Sequence, residues 1–216
     1  DPVSVTTVAG WTPLEVSVST SSGSGGGTSF ALYSSDSTGD RRIMCWGDGS
    51  SGQMGDGGTA SLASPSFTDL VMLIDDPDSM WYSVTPLGAS DGSETLSSSP
   101  YDVVEVSLSE IGKFGCARSS QGHVKCWGYN AYGQLGHGNT STASDGENEM
   151  GEDLAFVPLG ANRSATSLSV GENHACALLD DGSVKCWGRN NYGQLGMGNT
   201  TQIGDGPNEM GDFLAA

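Results

Sequence analysis

"HACALLDDGSVKCWGRNNYGQLGMGNT", residues 174–200, sets two cysteines around a tight turn. Tryptophan follows the second, and glycines are strung along the polar run after it. Residues 114–140, "FGCARSSQGHVKCWGYNAYGQLGHGNT", repeat the arrangement 60 positions earlier. Cys116, Cys126, Trp127, Gln134, Asn139 and Asp145 recur at Cys176, Cys186, Trp187, Gln194, Asn199 and Asp205. The match runs on through "DGENEMG" (145–151) and "DGPNEMG" (205–211). Self-similarity at a fixed period marks a repeat architecture, in which each unit buries its apolar face on a neighbour.

The cysteine spacing is that of a stapled hairpin. A three-residue loop Asp180-Asp181-Gly182, with Gly182 in the left-handed conformation, sets Leu179 opposite Ser183. Counting outward pairs Leu178 with Val184, Ala177 with Lys185, and Cys176 with Cys186. That last pair falls at a non-hydrogen-bonded site, where close approach permits a disulfide. Ser120-Gln121-Gly122 gives the same register to Cys116 and Cys126. Each bridge closes a loop of about 11 residues, worth roughly 3 kcal/mol by chain entropy. The competing reading is zinc, which usually draws on closer C-x2-C pairs and further nearby ligands. Disulfides imply an oxidising compartment. Three N-x-S/T sequons, at Asn139, Asn162 and Asn199, suit an extracellular or cell-surface chain, with N-linked glycans if the host is eukaryotic.

An older copy of the unit comes first. "CWGDGSSGQMGDG", from Cys45, echoes "CWGYNAYGQLGHG". An alternating strand precedes each copy: "LEVSVS" (14–19), "VEVSLS" (104–109) and "ATSLSV" (165–170). "VTPLG" (84–88) and "VPLG" (157–160) follow the first two as expected closing strands. Short alternating strands, frequent turns and no helical period predict an all-β chain. Residues 1–13 hold a spare strand, "DPVSVTTV", able to complete a unit in cis or in trans. Residues 14–103 form a first, insertion-bearing repeat, 104–163 a second, and 164–216 a third that stops before its closing strand, all in one domain.

Composition limits the partners. The 216 residues carry 26 acidic and 8 basic side chains, formally −18. Nucleic acid and anionic membranes need clustered Lys and Arg, so neither suits this chain. No apolar run approaches the roughly 20 residues of a membrane helix.

The string H-x-C-A-L-x-x-D-G-x-V-x-x-W-G-x-N-x-x-G-Q-L-G-x-G over His174–Gly198, and its near-copy over Phe114–Gly138, resembles the regulator of chromosome condensation repeat. That resemblance implies a β-propeller, in the family usually seven four-stranded blades. Paired cysteines at this spacing are similar to the secreted or surface-exposed branch. Three units make a partial array of about three antiparallel blades. In the family's pattern Trp46, Trp127 and Trp187 are blade cores and His174 is a packing histidine. Cys45 is left over, with Phe30 in its partner's place. It reads as a buried unbridged thiol or as one half of an intermolecular bridge.

No nucleophile, base and orienting acid share a scaffold, so no enzyme site is expected. His123 and His137, without counterparts in the third unit, read as surface residues. The one cofactor suggested is calcium. Asp145, Glu147, Asn148 and Glu149, with Asp205, Asn208 and Glu209 in the repeat, crowd hard oxygens into acidic turns. These turns read equally as solvated loops. The expected function is a secreted or cell-surface, non-catalytic repeat protein with a structural or assembly role. It would polymerise by intermolecular strand addition, with self-association or a protein as partner. The alternative is a soluble propeller-type protein-binding or inhibitor module. Guanine-nucleotide exchange, the family's best-known activity, is disfavoured by the acidity, the cysteine pairs and the short array.

Overall fold

The computed structural model describes residues 9–19, 27–37, 39, 41–55, 57–67, 103–109, 111, 113–143, 149–150 and 153–215. These residues form three antiparallel sheets built on one plan. Blade 1 is β1 (Trp11–Val18), β2 (Thr28–Ser35), β3 (Arg41–Gly47) and β4 (Leu62–Phe67), in that order. Blade 2 is β5 (Val103–Leu108), β6 (Phe114–Ser119) and β7 (Val124–Gly128). Blade 3 is β8 (Ala165–Val170), β9 (His174–Leu179) and β10 (Val184–Gly188). The all-β reading and the count of three blades hold.

The hairpin registers are those the spacing predicts. Leu178, Ala177 and Cys176 face Val184, Lys185 and Cys186, and Cys116 faces Cys126. Gly182 sits at φ 82° and Gly122 at 81°, the left-handed residues that close the loops. The Asp181 carboxyl, exposed on the hairpin loop, accepts from the Ser183 hydroxyl and N–H, and this holds it below the ordinary carboxylate range. In blade 1 Phe30 faces Cys45, as the alignment of the units requires.

The closing strands differ from expectation. Blade 1 closes with β4, a segment not foreseen as a strand, and "VTPLG" (84–88) lies outside the described residues. The "VPLG" stretch lies beside β7 but forms no regular strand. Its tie is one hydrogen bond, from Val157 N–H to the Val124 carbonyl at 2.8 Å, and Pro158 has no N–H to extend a ladder. The spare strand, residues 1–8, lies outside the described residues, and β1 begins at Trp11 rather than Leu14.

The core lies between blades. A register count from the cysteines shows which residues correspond. Phe30, Cys116 and Cys176 share one position, as do Trp46, Trp127 and Trp187. Val16, Val106 and Leu168 share another. One face of each sheet looks forward along the array and the other looks back. Phe30 on the forward face of blade 1 meets Trp127 on the backward face of blade 2, ring edge to face, centroids 5.8 Å apart. Small residues there, Gly115, Ala117, Ala175 and Ala177, let the sheets approach closely. Trp127 and Trp187 are fully buried; each buries on the order of 200 Å². Trp46 departs from the expectation of a core residue. It is half-buried, in a small separate cluster with Trp11, Ala31, Tyr33 and Met44 on the backward face of blade 1. No described blade stands behind it.

Candidate functional site

The glycine-rich corners of blades 2 and 3 are each organised by a side chain the sequence reading passed over. Asn130 is fully buried. Its Nδ2 donates to the carbonyls of Asn139 and Ser141, both at 2.9 Å, while its Oδ1 accepts the Leu135 N–H at 2.9 Å. Asn190 makes the same three bonds to Asn199, Thr201 and Leu195. Gln134 and Gln194 fold back so that Oε1 accepts the N–H of Tyr132 and Tyr192. The available signal was the offset of 60, which Asn130 and Asn190 obey as strictly as the cysteines. Blade 1 has Gly49 there, because a Cβ would collide with the Ala60 carbonyl.

The corner exists to receive the next blade. Trp127 Nε1 donates to the Gln53 carbonyl at 2.9 Å, and Trp187 Nε1 to the Gln134 carbonyl at 2.9 Å. Each tryptophan is therefore tied to the GQ step of the blade behind it. Glu105 adds a second tie. Its Oε2 meets Arg118 Nε at 2.7 Å, and its Oε1 accepts the Leu168 N–H of blade 3 at 3.0 Å. Partial burial makes this charge-assisted pair stronger than the exposed Arg163–Asp180 and Arg163–Asp181 contacts at 3.3 and 3.0 Å.

Blades 1 and 3 each expose a residue whose counterpart in blade 2 is buried. Val124 is 0% exposed under blade 3, and its counterpart Val184 is 48% exposed. Val106 is 5% exposed against blade 1, and its counterpart Val16 is 65% exposed. His174, expected to pack inside, is half-buried on the same open face as Val184, over Gly171. Burial lowers its pKa, partly offset by the Glu172 charge.

The sulfurs of Cys116 and Cys126 lie 2.07 Å apart, and those of Cys176 and Cys186 2.13 Å, both bonding distances. The first pair is fully buried between blades, and the second is half-buried on the open face of blade 3. Cys45 is 0% exposed, out of reach of an intermolecular bridge.

A cation–aromatic row lies along the corner loops and was not foreseen. Lys113 sits 5.6 Å over Tyr129, whose ring meets Tyr132 at 6.4 Å. Arg189 lies 5.0 Å from Tyr132 and 6.0 Å from Tyr192, which is 86% exposed. These residues come from blades 2 and 3 and meet only in the folded array.

His123 is exposed, as expected, and its ring lies 5.4 Å from Phe156. His137 corrects the surface reading. It is half-buried and lines a cavity of about 290 Å³ with Asn139, Glu149 and Asp153. Its Nε2 is buried, with no hydrogen-bond partner among the described residues. Burial lowers its pKa first. A backbone hydrogen bond at Ala155 opposes this, and Lys125 adds to it.

In the third unit the acidic turn is hydrogen-bonded within itself. Glu209 Oε2 accepts the N–H groups of Gly204 and Gly206 at 2.9 and 2.8 Å, and Asp205 Oδ2 accepts from Gln202 at 3.0 Å. Asn208 stands at φ 62°. Asp145, Glu147 and Asn148 lie outside the described residues. Among the described residues no three His, Cys, Asp or Glu groups converge as metal ligands. Asn139, Asn162 and Asn199 are all exposed. No helix among the described residues is long and apolar enough to cross a membrane.

The regulator of chromosome condensation (RCC1) repeat matches residues 121–178 and again 165–194. The chain is 30% identical over 177 residues to the ultraviolet-B receptor UVR8 of Arabidopsis thaliana, covering 82% of this chain and 31% of that protein. It is 34% identical over 92 residues to protein RCC2 of Mus musculus, covering 43% of this chain and 16% of that one. It therefore spans under a third of the curated relatives it matches here. In the crystal structure of Prp20p from Saccharomyces cerevisiae, 80% of this chain superposes on 34% of that chain, at 14% identity and a TM-score of 0.51. Repeat motif, blade plan and fold agree that the chain is an RCC1-like repeat protein, a partial array of β-propeller blades.

Proposed function

We propose that this chain is a secreted or cell-surface, non-catalytic repeat protein that works by assembly, with copies joined where the array is open. The observation that carries the reading is an unpaired strand edge on blade 3. Blade 3 presents an edge strand, β10, with no fourth strand beside it among the described residues, whereas β3 of blade 1 is covered by β4. An unpaired edge is a template for strand addition. The alternating segment 1–8 is the candidate strand, donated by a neighbouring copy. The paired cysteines and exposed sequons support an oxidising, glycosylating compartment.

Deleting residues 1–8 is expected to convert assemblies into monomers, read by light scattering after size exclusion. Unchanged oligomers would sink the strand-addition step.

A second reading is favoured by the Tyr129–Tyr132–Arg189–Tyr192 row, since aromatics and Arg are enriched where proteins bind proteins. The Prp20p structure is described together with that protein's binding to Gsp1p and histones, so a propeller of this kind serves as a protein-binding scaffold. A chain that stays monomeric, and holds a defined protein partner it loses on Tyr192→Ala, would favour this binding-module reading over assembly.

A further inference from the structure

We infer that the cavity beside His137 is a binding site for an ammonium group, the charged end of a small amine or of a lysine side chain. The site is independent of whether and how copies of the chain assemble.

The cavity, of about 290 Å³, is walled by residues of the 137–143 and 149–155 stretches. Its wall is rich in acceptors: the Glu149 and Asp153 carboxylates, the Ser141 and Thr142 hydroxyls and the His137 ring. No lysine or arginine is among its described lining residues. Burial and the nearby Lys125 charge lower the pKa of His137, so the ring is neutral at pH 7. One ring N–H bonds the Ala155 backbone carbonyl. Because Nε2 has no partner among the described residues, that donor is Nδ1, and Nε2 keeps a lone pair with no donor. Nε2 is turned away from solvent. The χ2 torsion of histidine is broad, so a modest swing of the ring offers this lone pair to a donor in the cavity that the ring already lines.

The sister repeat is an internal control. At the offset of 60, Glu149 and Leu154 persist as Glu209 and Leu214, while His137 becomes Met197 and Asp153 becomes Phe213. The persistent glutamate has a scaffold task in the third unit, where Glu209 accepts the N–H groups of Gly204 and Gly206. His137 and Asp153 have none that the blade plan requires, since blade 3 takes the same plan with two apolar residues there. Two polar groups that line one cavity thus come and go together. A wall of acceptors without a lining cation selects a cation that brings donors. An ammonium carries three N–H donors that suit imidazole, carboxylate and hydroxyl acceptors, whereas the flat fork of a guanidinium suits a single carboxylate. A bare metal ion is disfavoured, because no three His, Cys, Asp or Glu groups converge among the described residues. Asp153 is exposed, and the formal charge of −18 draws cations to the surface around it.

The test is nuclear magnetic resonance on the full chain, whose 3 histidines give separate ring signals that single substitutions assign. Titration with n-butylammonium or N-acetyl-lysine methylamide should shift the His137 signal saturably and leave His123 and His174 in place. Tetramethylammonium, which has the charge without the donors, should not. Asp153→Asn removes a charge at an exposed position with little change of shape, and His137→Met installs the residue the third repeat already carries. Each should keep the wild-type melting curve and weaken amine binding about five-fold, followed at the backbone amides of Ser141 and Ala155. Equal affinity for the two amines supports recognition of the ammonium alone, as a free amine would offer it. Tighter binding of the lysine derivative supports a protein side chain as the source. The site is overturned by no saturable shift across the millimolar range, by an equal response to tetramethylammonium, or by tighter binding of N-acetyl-arginine methylamide. It is overturned equally by a His137 response to equimolar zinc or calcium alone, which assigns a metal site, or by unchanged affinity in both folded variants, which places the amine elsewhere.

Discussion

Asn130 holds its corner with three bonds and no exposed atom, so its removal is informative. Asn130→Ala leaves the buried Leu135 N–H without its acceptor and frees the exposed 139–141 loop, and should cost about 1–3 kcal/mol, read as a lower urea midpoint. His137 makes a second residue-scale test. Its folded pKa lies below its unfolded one, because burial disfavours the charged ring, with Glu149, Asp153 and Lys125 the charged groups nearby. The unfolded chain then takes up the proton first. Stability is complete above the unfolded value, about 6.5, and falls as pH drops through it. His137→Met, the residue the third repeat carries at position 197, should flatten the decline of the urea midpoint between pH 7.5 and 5.5. An unchanged slope would assign the titration to His123 or His174, whose pKa values burial also lowers.

The two stapled hairpins share sequence and register but not surroundings. Cys116–Cys126 is sealed between blades, while Cys176–Cys186 lies half-exposed. Mild reductant followed by alkylation and mass spectrometry should label Cys176 and Cys186 first. Equal labelling would mean that blades 2 and 3 part readily. At this scale the sequence was most readable. Loop length and glycine position fix a hairpin's register by local geometry, and the Cys, Trp and Gln positions followed. The closing strands were harder. "VPLG" carries the right apolar residues, but Pro158 removes the donor a strand needs, and Val157 alone reaches its neighbour. β4, "LASPSF", has too little alternation to announce itself. His137 misled because its environment is set by residues of the 149–155 stretch, which no local pattern connects to it.

At the scale of the whole molecule, sequence repetition announced the three blades seen among the described residues but not how each is packed. Equal residues fall into unequal roles according to what stands beside them. Trp46, Trp127 and Trp187 share one position, yet two are sealed and one is partly in water. Function was legible only as far as the pattern of neighbours. The cation–aromatic row is assembled from residues 113, 129, 132, 189 and 192, and no single repeat shows it. The indole bonds from Trp127 to the Gln53 carbonyl and from Trp187 to the Gln134 carbonyl chain each blade to the one before it, so a lesion in one corner is felt one blade further along.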